Sequence, residues 1–342
     1  MKSLAWRAMA GAACIALGLA WTAAAGAADQ LAQAPTKVKV AATLTVLVQH
    51  AGLEAAVAAN TFKEEGLEVE IVRFRSWTEP VQAIASDAAQ FALGAASLAR
   101  AVAGQNAPVR QIAMVSSFHP YQFWVKKDSG IKSIADVRGK TIQTVRPGET
   151  LDNVWIQVME KAGLKMSDVK RVESFNGFGT LASGTADVAN LSSVEIGKAR
   201  QLGFVQILDY NQWRKENGLR VGDGANLGWG TSVKMLEQQP ETVRAFLRAM
   251  AKATQKLRTD RAFAVSVLKG QPFMLDDATA AEVWELHKDH WIVRMDPDRG
   301  DYAFDTEMIA VAMGKPPGSI DVKAVSVTEP ARDALKALNL QF

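Results

Sequence analysis

Near the start of the chain Val38, Val40 and Ala42 alternate with Lys37, Lys39 and Ala41, the period-two pattern of a strand with one buried face. Residues 68–74 repeat it, with Val69 and Ile71 set against Glu68 and Glu70. Between them lies a helical stretch that stops near Asn60, a residue that tolerates the left-handed turn at a helix end. A helix over 78–85 and a short strand over 90–93 follow. The middle of the chain carries a second set. Residues 122–125 are strand-like, 131–137 read as a turn and short helix, and 140–145 as a strand. Pro147-Gly148 then breaks the chain before a helix over 151–162, and 169–175, 188–191 and 203–209 read as further strands. Strands alternating with helices predict βαβ units and parallel sheet. The end is helical. From Pro240, a good first-turn residue, Val243, Phe246, Leu247, Met250 and Leu257 fall on one face. Residues 277–292, 306–313 and 329–338 read as helices too.

A different pattern opens the chain. Residues 11–25 are nearly all small or apolar, with Ile15, Leu17, Leu19 and Trp21 at their centre. Lys2 and Arg7 precede them and Ala25-Gly26-Ala27 follows. That order is a secretory signal peptide over residues 1–27, with cleavage after Ala27 or Ala28 and a flexible lead over 28–36. The run is shorter than the ~20 residues of a spanning helix, so no stable membrane insertion is expected. Cys14 does not read as a lipidation site, because Gly11 rather than Leu stands three residues before it. Without Lys2 and Arg7 the 39 basic residues become 37, against 36 acidic ones. The exported chain is near neutral, and no run of Lys and Arg suggests a nucleic-acid partner. The only cysteine leaves with the signal, which excludes disulfides and thiol chemistry from the exported chain. About 315 residues is long for one core, so two lobes are expected.

There is an internal echo. Ala85, Ser86, Ala89 and Ala92 recur as Ala182, Ser183, Ala186 and Ala189, each copy a helix end, a turn and a short strand. One copy per lobe is expected. Beyond this, Phe62-Lys63-Glu64-Glu65-Gly66-Leu67-Glu68-Val69-Glu70, Phe91-Ala92-Leu93-Gly94, the run from Lys127 through Asp136-Val137-Arg138-Gly139-Lys140 to Ile142, and Leu181-Ala182-Ser183-Gly184-Thr185-Ala186-Asp187-Val188 stand in a telling order behind the signal. Over about residues 38–268 the chain resembles the solute-binding proteins for nitrate, taurine and aliphatic sulfonates, and their relatives that bind thiamine-pyrimidine precursors. The resemblance implies an α/β, type II periplasmic-binding fold, two lobes with a central cleft and two crossover strands. Lobe one is placed at 37–122 plus 228–342 and lobe two at 126–224, with crossovers near 122–126 and 224–230. Gly222, Gly224, Gly228 and Gly230 suit a segment whose backbone angles change as lobes close.

Open α/β sheets bind ligands beyond the carboxyl ends of their strands. That rule selects Thr43 and Thr45 after the first strand, Trp77 after Phe74, Ser97 after Leu93, Arg146, Gly148, Glu149 and Thr150 after Val145, and Asn190 and Ser192 after the strand near 188. A strand, a Gly turn and a helix start offer free N–H groups to an anion, with Arg146 as a planar fork for carboxylate or sulfonate. Family relatives favour small hydroxyl residues after the Gly. Glu149 departs from that and points to an amine or zwitterion, though it reads equally as a helix-capping residue. Trp77, Phe118, Tyr121, Phe178 and Trp229 lie in or near these loops, with Trp77 preferred as ligand-facing and Trp229 reading equally as lobe core. His119 stands at the crossover and reads as ligand-binding or as hinge structure.

Other motifs do not carry a function. Gly177-Phe178-Gly179-Thr180-Leu181-Ala182 matches a dinucleotide fingerprint, but its helix would end at Gly184, too early for a βαβ unit. His287 and His290 have zinc-compatible spacing but no adjacent Glu and no third ligand, and read as a solvated helix face. No catalytic site, metal or cofactor is expected. The preferred reading is a monomeric periplasmic component of an ABC importer, with its permease as partner. Its solute would be a small organic anion or zwitterion, preferably a sulfonate or aromatic carboxylate. A thiamine-pyrimidine precursor stands second and nitrate third. An enzyme on this fold and the sensory input of a receptor are the competing functions.

Overall fold

A computed structural model describes residues 34–44, 47–94, 96–117, 119, 121–147, 149–219, 227–298 and 302–342. The expected signal peptide lies outside the described residues, as do Thr45, Gly148, Gly222, Gly224 and Phe118. The chain divides into units 1–36 and 37–342, and the second carries everything below except the first residue of the first strand.

Eleven strands among the described residues form two sheets. They are β1 (Thr36–Thr43), β2 (Leu67–Phe74), β3 (Phe91–Gly94), β4 (Val109–Ser116), β5 (Gln122–Lys126), β6 (Thr141–Thr144), β7 (Lys170–Glu173), β8 (Val188–Asn190), β9 (Phe204–Asp209), β10 (Gly228–Ser232) and β11 (Trp291–Arg294). One sheet has the order β11-β4-β10-β3-β1-β2 and the other β7-β6-β8-β5-β9. Each builds one lobe.

The sheets share a construction. β1 and β3 run parallel, as do β6 with β7 and β6 with β8. The first strand after each passage between sheets runs against its neighbours. β5 is antiparallel to β8 and β9, and β10 is antiparallel to β3 and β4. The sheets are therefore mixed, not purely parallel. The expected crossover 122–126 is β5, and 228–230 of the expected 224–230 open β10; the passages between the sheets fall within 117–121 and 210–227, of which 118, 120 and 220–226 lie outside the described residues. The internal echo falls on equivalent pieces, with β3 in one lobe and β8 in the other.

The helix Pro240–Thr259 covers the larger sheet. It starts on Pro at N1, and Val243, Phe246, Leu247, Met250 and Leu257 are buried, as the spacing predicts. Phe246 stacks on Phe62 and Phe91 and meets Trp229 edge-on. The smaller lobe centres on Trp155, which is fully buried against Phe123 and donates from Nε1 to the Gln143 carbonyl at 2.8 Å.

Two polar clusters join the lobes. Arg214, on helix Tyr210–Glu216 after β9, is wholly buried and meets Asp305 of helix Tyr302–Ala312 at 3.2 Å. The same Nη1 donates to His119 Nε2 at 3.2 Å. Burial, reinforced by Arg214, holds His119 well below the usual histidine range. His119 also exchanges backbone hydrogen bonds with the Asn211 amide at 3.0 and 2.8 Å. Elsewhere, His287 at the end of helix Asp277–His287 reaches Ser193 Oγ at 2.8 Å, and Arg200 pairs with Glu282 at 3.2 Å. His287 is fully buried, so the expected solvated face is corrected. Trp291 packs beside it, because the chain leaves the helix at His287 and enters β11. His290 faces Ser117 Oγ at 3.1 Å instead. Among the described residues no group of three or more His, Cys, Asp or Glu is placed to hold a metal. None of their helices is long and apolar enough to cross a membrane.

Candidate functional site

A cavity of about 440 Å³ opens between the sheets at the carboxyl ends of β2, β3, β6, β7 and β8. The larger lobe supplies Leu47, Trp77, Thr78, Ala96, Ser97, Arg100 and Leu227. The smaller lobe and its approach supply Tyr121, Gln143, Val145, Glu149, Thr150, Leu151, Phe175, Gly177, Asn190, Ser192, Val194 and Glu195.

On the larger lobe the wall is set by short caps. The Glu79 carboxylate accepts from the backbone N–H groups of Arg75 and Ser76 and from Ser76 Oγ, which lowers its proton affinity and pins the turn carrying Trp77. Ser97 Oγ donates to the Trp77 carbonyl at 2.9 Å, tying the turn to helix Ala96–Gln105. Trp77 is half-buried, edge-on to His50. One turn after Ser97 comes Arg100. Its Nε and Nη2 are shut off from solvent and have no hydrogen-bonding partner. Burial lowers its pKa, opposed by the carboxylates of Glu149 and Asp152. A buried guanidinium with unused donors costs free energy until an acceptor arrives.

The opposite wall is a polar framework already bonded to itself. Gln143 Nε2 donates to the Ser174 carbonyl at 2.5 Å and Gln143 Oε1 accepts from the Asn190 N–H at 3.1 Å, so one side chain fixes the ends of β7 and β8. Asn190 Oδ1 accepts from the Gln122 N–H at 2.8 Å. Gly177 approaches the Asn190 carbonyl so closely that a Cβ there would lie 2.0 Å from the oxygen. Close approach, not a dinucleotide turn, is the reason for this glycine. Glu195 accepts from Ser192 N and Oγ, both at 2.8 Å, as a capping box. Glu149 differs. It is the residue before helix Thr150–Lys161, yet its side chain makes no capping bond and faces the cavity. Burial raises its pKa, opposed first by Arg100. Asp152, one turn on, is committed to Arg171 at 2.6 Å. Burial also pushes the Tyr121 hydroxyl well above its ordinary value, beside the Thr150 side chain.

Of the expected positions, Trp77, Ser97, Glu149, Thr150, Asn190 and Ser192 line the cavity. Thr45 and Gly148 lie outside the described residues. Thr43 is buried at the end of β1, where its carbonyl accepts from Arg73. His119 is buried in the interlobe cluster, Arg146 points to solvent, and Trp229 is wholly inside the larger lobe. None of these four is among the lining residues. Among the described lining residues the cation is thus Arg100, which sequence reasoning passed over. It sits three positions after Ser97, on the same helix face, and that spacing could have found it. Gln143, a lone amide in the strand Thr-Ile-Gln-Thr, was also passed over, as was Phe175, which is 55% exposed at the cavity edge.

The chain belongs to the NMT1/THI5 like family, whose model matches residues 48–261. No curated protein matches its sequence. Among solved structures it is similar to the periplasmic aliphatic sulphonate binding protein SsuA of Escherichia coli, with a TM-score of 0.69 and 14% identity over 86% of this chain and 92% of that one. The periplasmic nitrate-binding protein NrtA of Synechocystis PCC 6803 gives 0.68 and 15% over 90% of each chain. The desulfurization enzyme DSZB gives 0.64 and 14% over 89% of this chain and 99% of that one. At these identities the likenesses establish the fold, two α/β lobes around a cleft.

Proposed function

We propose that this chain is the solute-binding component of an ABC importer, exported by its N-terminal signal and holding a small organic anion or zwitterion between its lobes. The observation that carries this reading is the Arg100 guanidinium, partly buried at the cleft with two nitrogens shut off from solvent and unbonded. Around it stand hydroxyl and amide groups for orientation and Trp77 and Phe175 for an apolar body, the mixture typical of small-molecule sites. The sulphonate- and nitrate-binding roles of its structural neighbours agree with it. A sulfonate or aromatic carboxylate is preferred, a thiamine-pyrimidine precursor stands second, and nitrate, which would leave the apolar walls unused, stands third.

The mechanism is mechanical. A solute held by Arg100 on one lobe and by the framework of Gln143, Asn190 and Thr150 on the other favours the closed arrangement by its contacts in that state. A permease then reads the closed pair. In this proposal residues 37–122 with 228–342 and residues 126–224 move as the two lobes, and the protein acts as a monomer.

A second reading, an enzyme, is favoured by the likeness to DSZB. One experiment separates the two. The exported chain from Asp29 is melted against a panel of sulfonates, carboxylates, amines, pyrimidines and nitrate. A solute at a hundred times its Kd is expected to stabilise the fold by about 2.7 kcal/mol and to be recovered unchanged. A hit recovered in altered form would put the enzyme first.

A further inference from the structure

We infer that the solute is bipolar, an amine-bearing sulfonate or carboxylate whose anionic end is met by Arg100 and whose ammonium is met by Glu149. This rests on the solute-binding reading and narrows it.

The two charged groups come from opposite lobes. Arg100 rides helix Ala96–Gln105 after β3, and Glu149 precedes helix Thr150–Lys161 after β6. Both line the same cavity. They feel each other electrostatically, yet the buried Nε and Nη2 of Arg100 are not bonded to the carboxylate or to anything else. Glu149 has also declined its local alternative, since its side chain does not cap the helix it begins. The other acids nearby are spoken for. Asp152 is bound by Arg171, and Glu195 accepts from Ser192.

Charge decides the class. A plain anion satisfies Arg100 but brings a second negative group towards Glu149, in a cleft where burial already disfavours that carboxylate's ionised form. A plain cation satisfies Glu149 and leaves Arg100 unpaired. A solute with both charges satisfies both, and because the partners sit on different lobes, each end rewards closure. Trp77, Val145, Leu151 and Phe175 then face whatever lies between the ends, so the spacer is apolar, a short alkyl chain or an aromatic ring.

The test uses the exported chain and matched probes differing only in the amine: 2-aminoethanesulfonate with ethanesulfonate, 4-aminobutyrate with butyrate, and 4-(aminomethyl)benzoate with 4-methylbenzoate. Titration calorimetry of the wild type is expected to give at least about tenfold tighter binding for the amine in one or more pairs, the scale of one additional paired charge. Glu149→Gln is expected to collapse that ratio to near unity, and Arg100→Gln to weaken both members together. Glu149→Ala, with melting of each ligand-free variant, guards against misfolding as the cause. Binding of the plain acids as tightly as the amines, or an amine preference that survives Glu149→Gln, overturns the inference and leaves the solute-binding reading standing. Failure of these probes while other solutes of the wider panel bind also overturns the inference alone. Failure of the whole panel overturns both.

Discussion

The two walls of the cleft are built on opposite principles. On the larger lobe the helix Pro240–Thr259, over β3 and β10, backs a wall that carries the partly buried Arg100, whose Nε and Nη2 have no acceptor among the described residues. On the smaller lobe the polar groups have largely found each other, through Gln143 to Ser174 and Asn190 and through Ser192 to Glu195. A bonded framework holds its shape and costs little to keep waiting, whereas an unbonded charge stores a demand. In the solute-binding reading proposed above, the larger lobe supplies the pull on an anionic end, and the smaller lobe supplies the mould and, through Glu149, the pull on an ammonium.

The comparison can be broken at three scales. The largest expected effect is in the bases. Phe246→Ala and Trp155→Ala each empty a fully buried aromatic site and are expected to cost about 3–5 kcal/mol, read by denaturant unfolding. If the lobes fold as separate cooperative units, each variant shifts a different transition; a common shift would show that the lobes unfold together. Next comes pH. Burial, chiefly, lowers His50 to about 3, His287 to about 3 and His119 well below its ordinary range, with Arg73, His290 and Arg214 adding to it respectively. The unfolded chain takes up these protons near pH 6.5 and the folded chain does not, so stability is full above that value and is lost as pH falls from about 6.5 towards 3. Glu54 and Glu149, both raised mainly by burial, act in the opposite sense in mild acid. A melting temperature that is flat between pH 7.5 and 5 would contradict the three neutral histidines. Smallest is Arg146→Ala. This exposed side chain, off the cavity wall, is expected to change stability by within about 0.5 kcal/mol and affinity hardly at all, whereas Arg100→Gln is expected to weaken binding strongly. Equal losses from the two arginines would erase the distinction between the walls.

Much of the frame was legible. The alternation at 37–42 and 68–74 became β1 and β2, and the Pro240 helix ran over Pro240–Thr259 with the expected face buried. Six of the positions picked by the strand-end rule line the cavity, because the rule depends only on where the backbone turns. What escaped were elements whose pattern is shared by two structures. β4 and helix Ala96–Gln105 were not read, the first because Gln111, Ile112, Ala113 and Met114 are buried without alternation, on a strand flanked on both sides. β11 was absorbed into an expected helix, since nothing between His287 and Trp291 breaks one. Missing helix Ala96–Gln105 meant missing Arg100, and His287 looked solvated because its cover, Ser193, comes from the other lobe and is invisible to local periodicity.

Arg214 has a further consequence. With no exposed surface, it spans from the helix Tyr210–Glu216 to Asp305 of the other lobe, beside His119. Pulling these partners apart would strand a charge in the interior, so the lobes are expected to part elsewhere first. If the lobes close on a solute as proposed, the cluster works as a fulcrum. Displacement would grow with distance from it, so a small rotation there would become a wide gape at the far rim. Spin labels straddling that rim should report large distance changes on adding solute, while labels flanking the fulcrum stay nearly still.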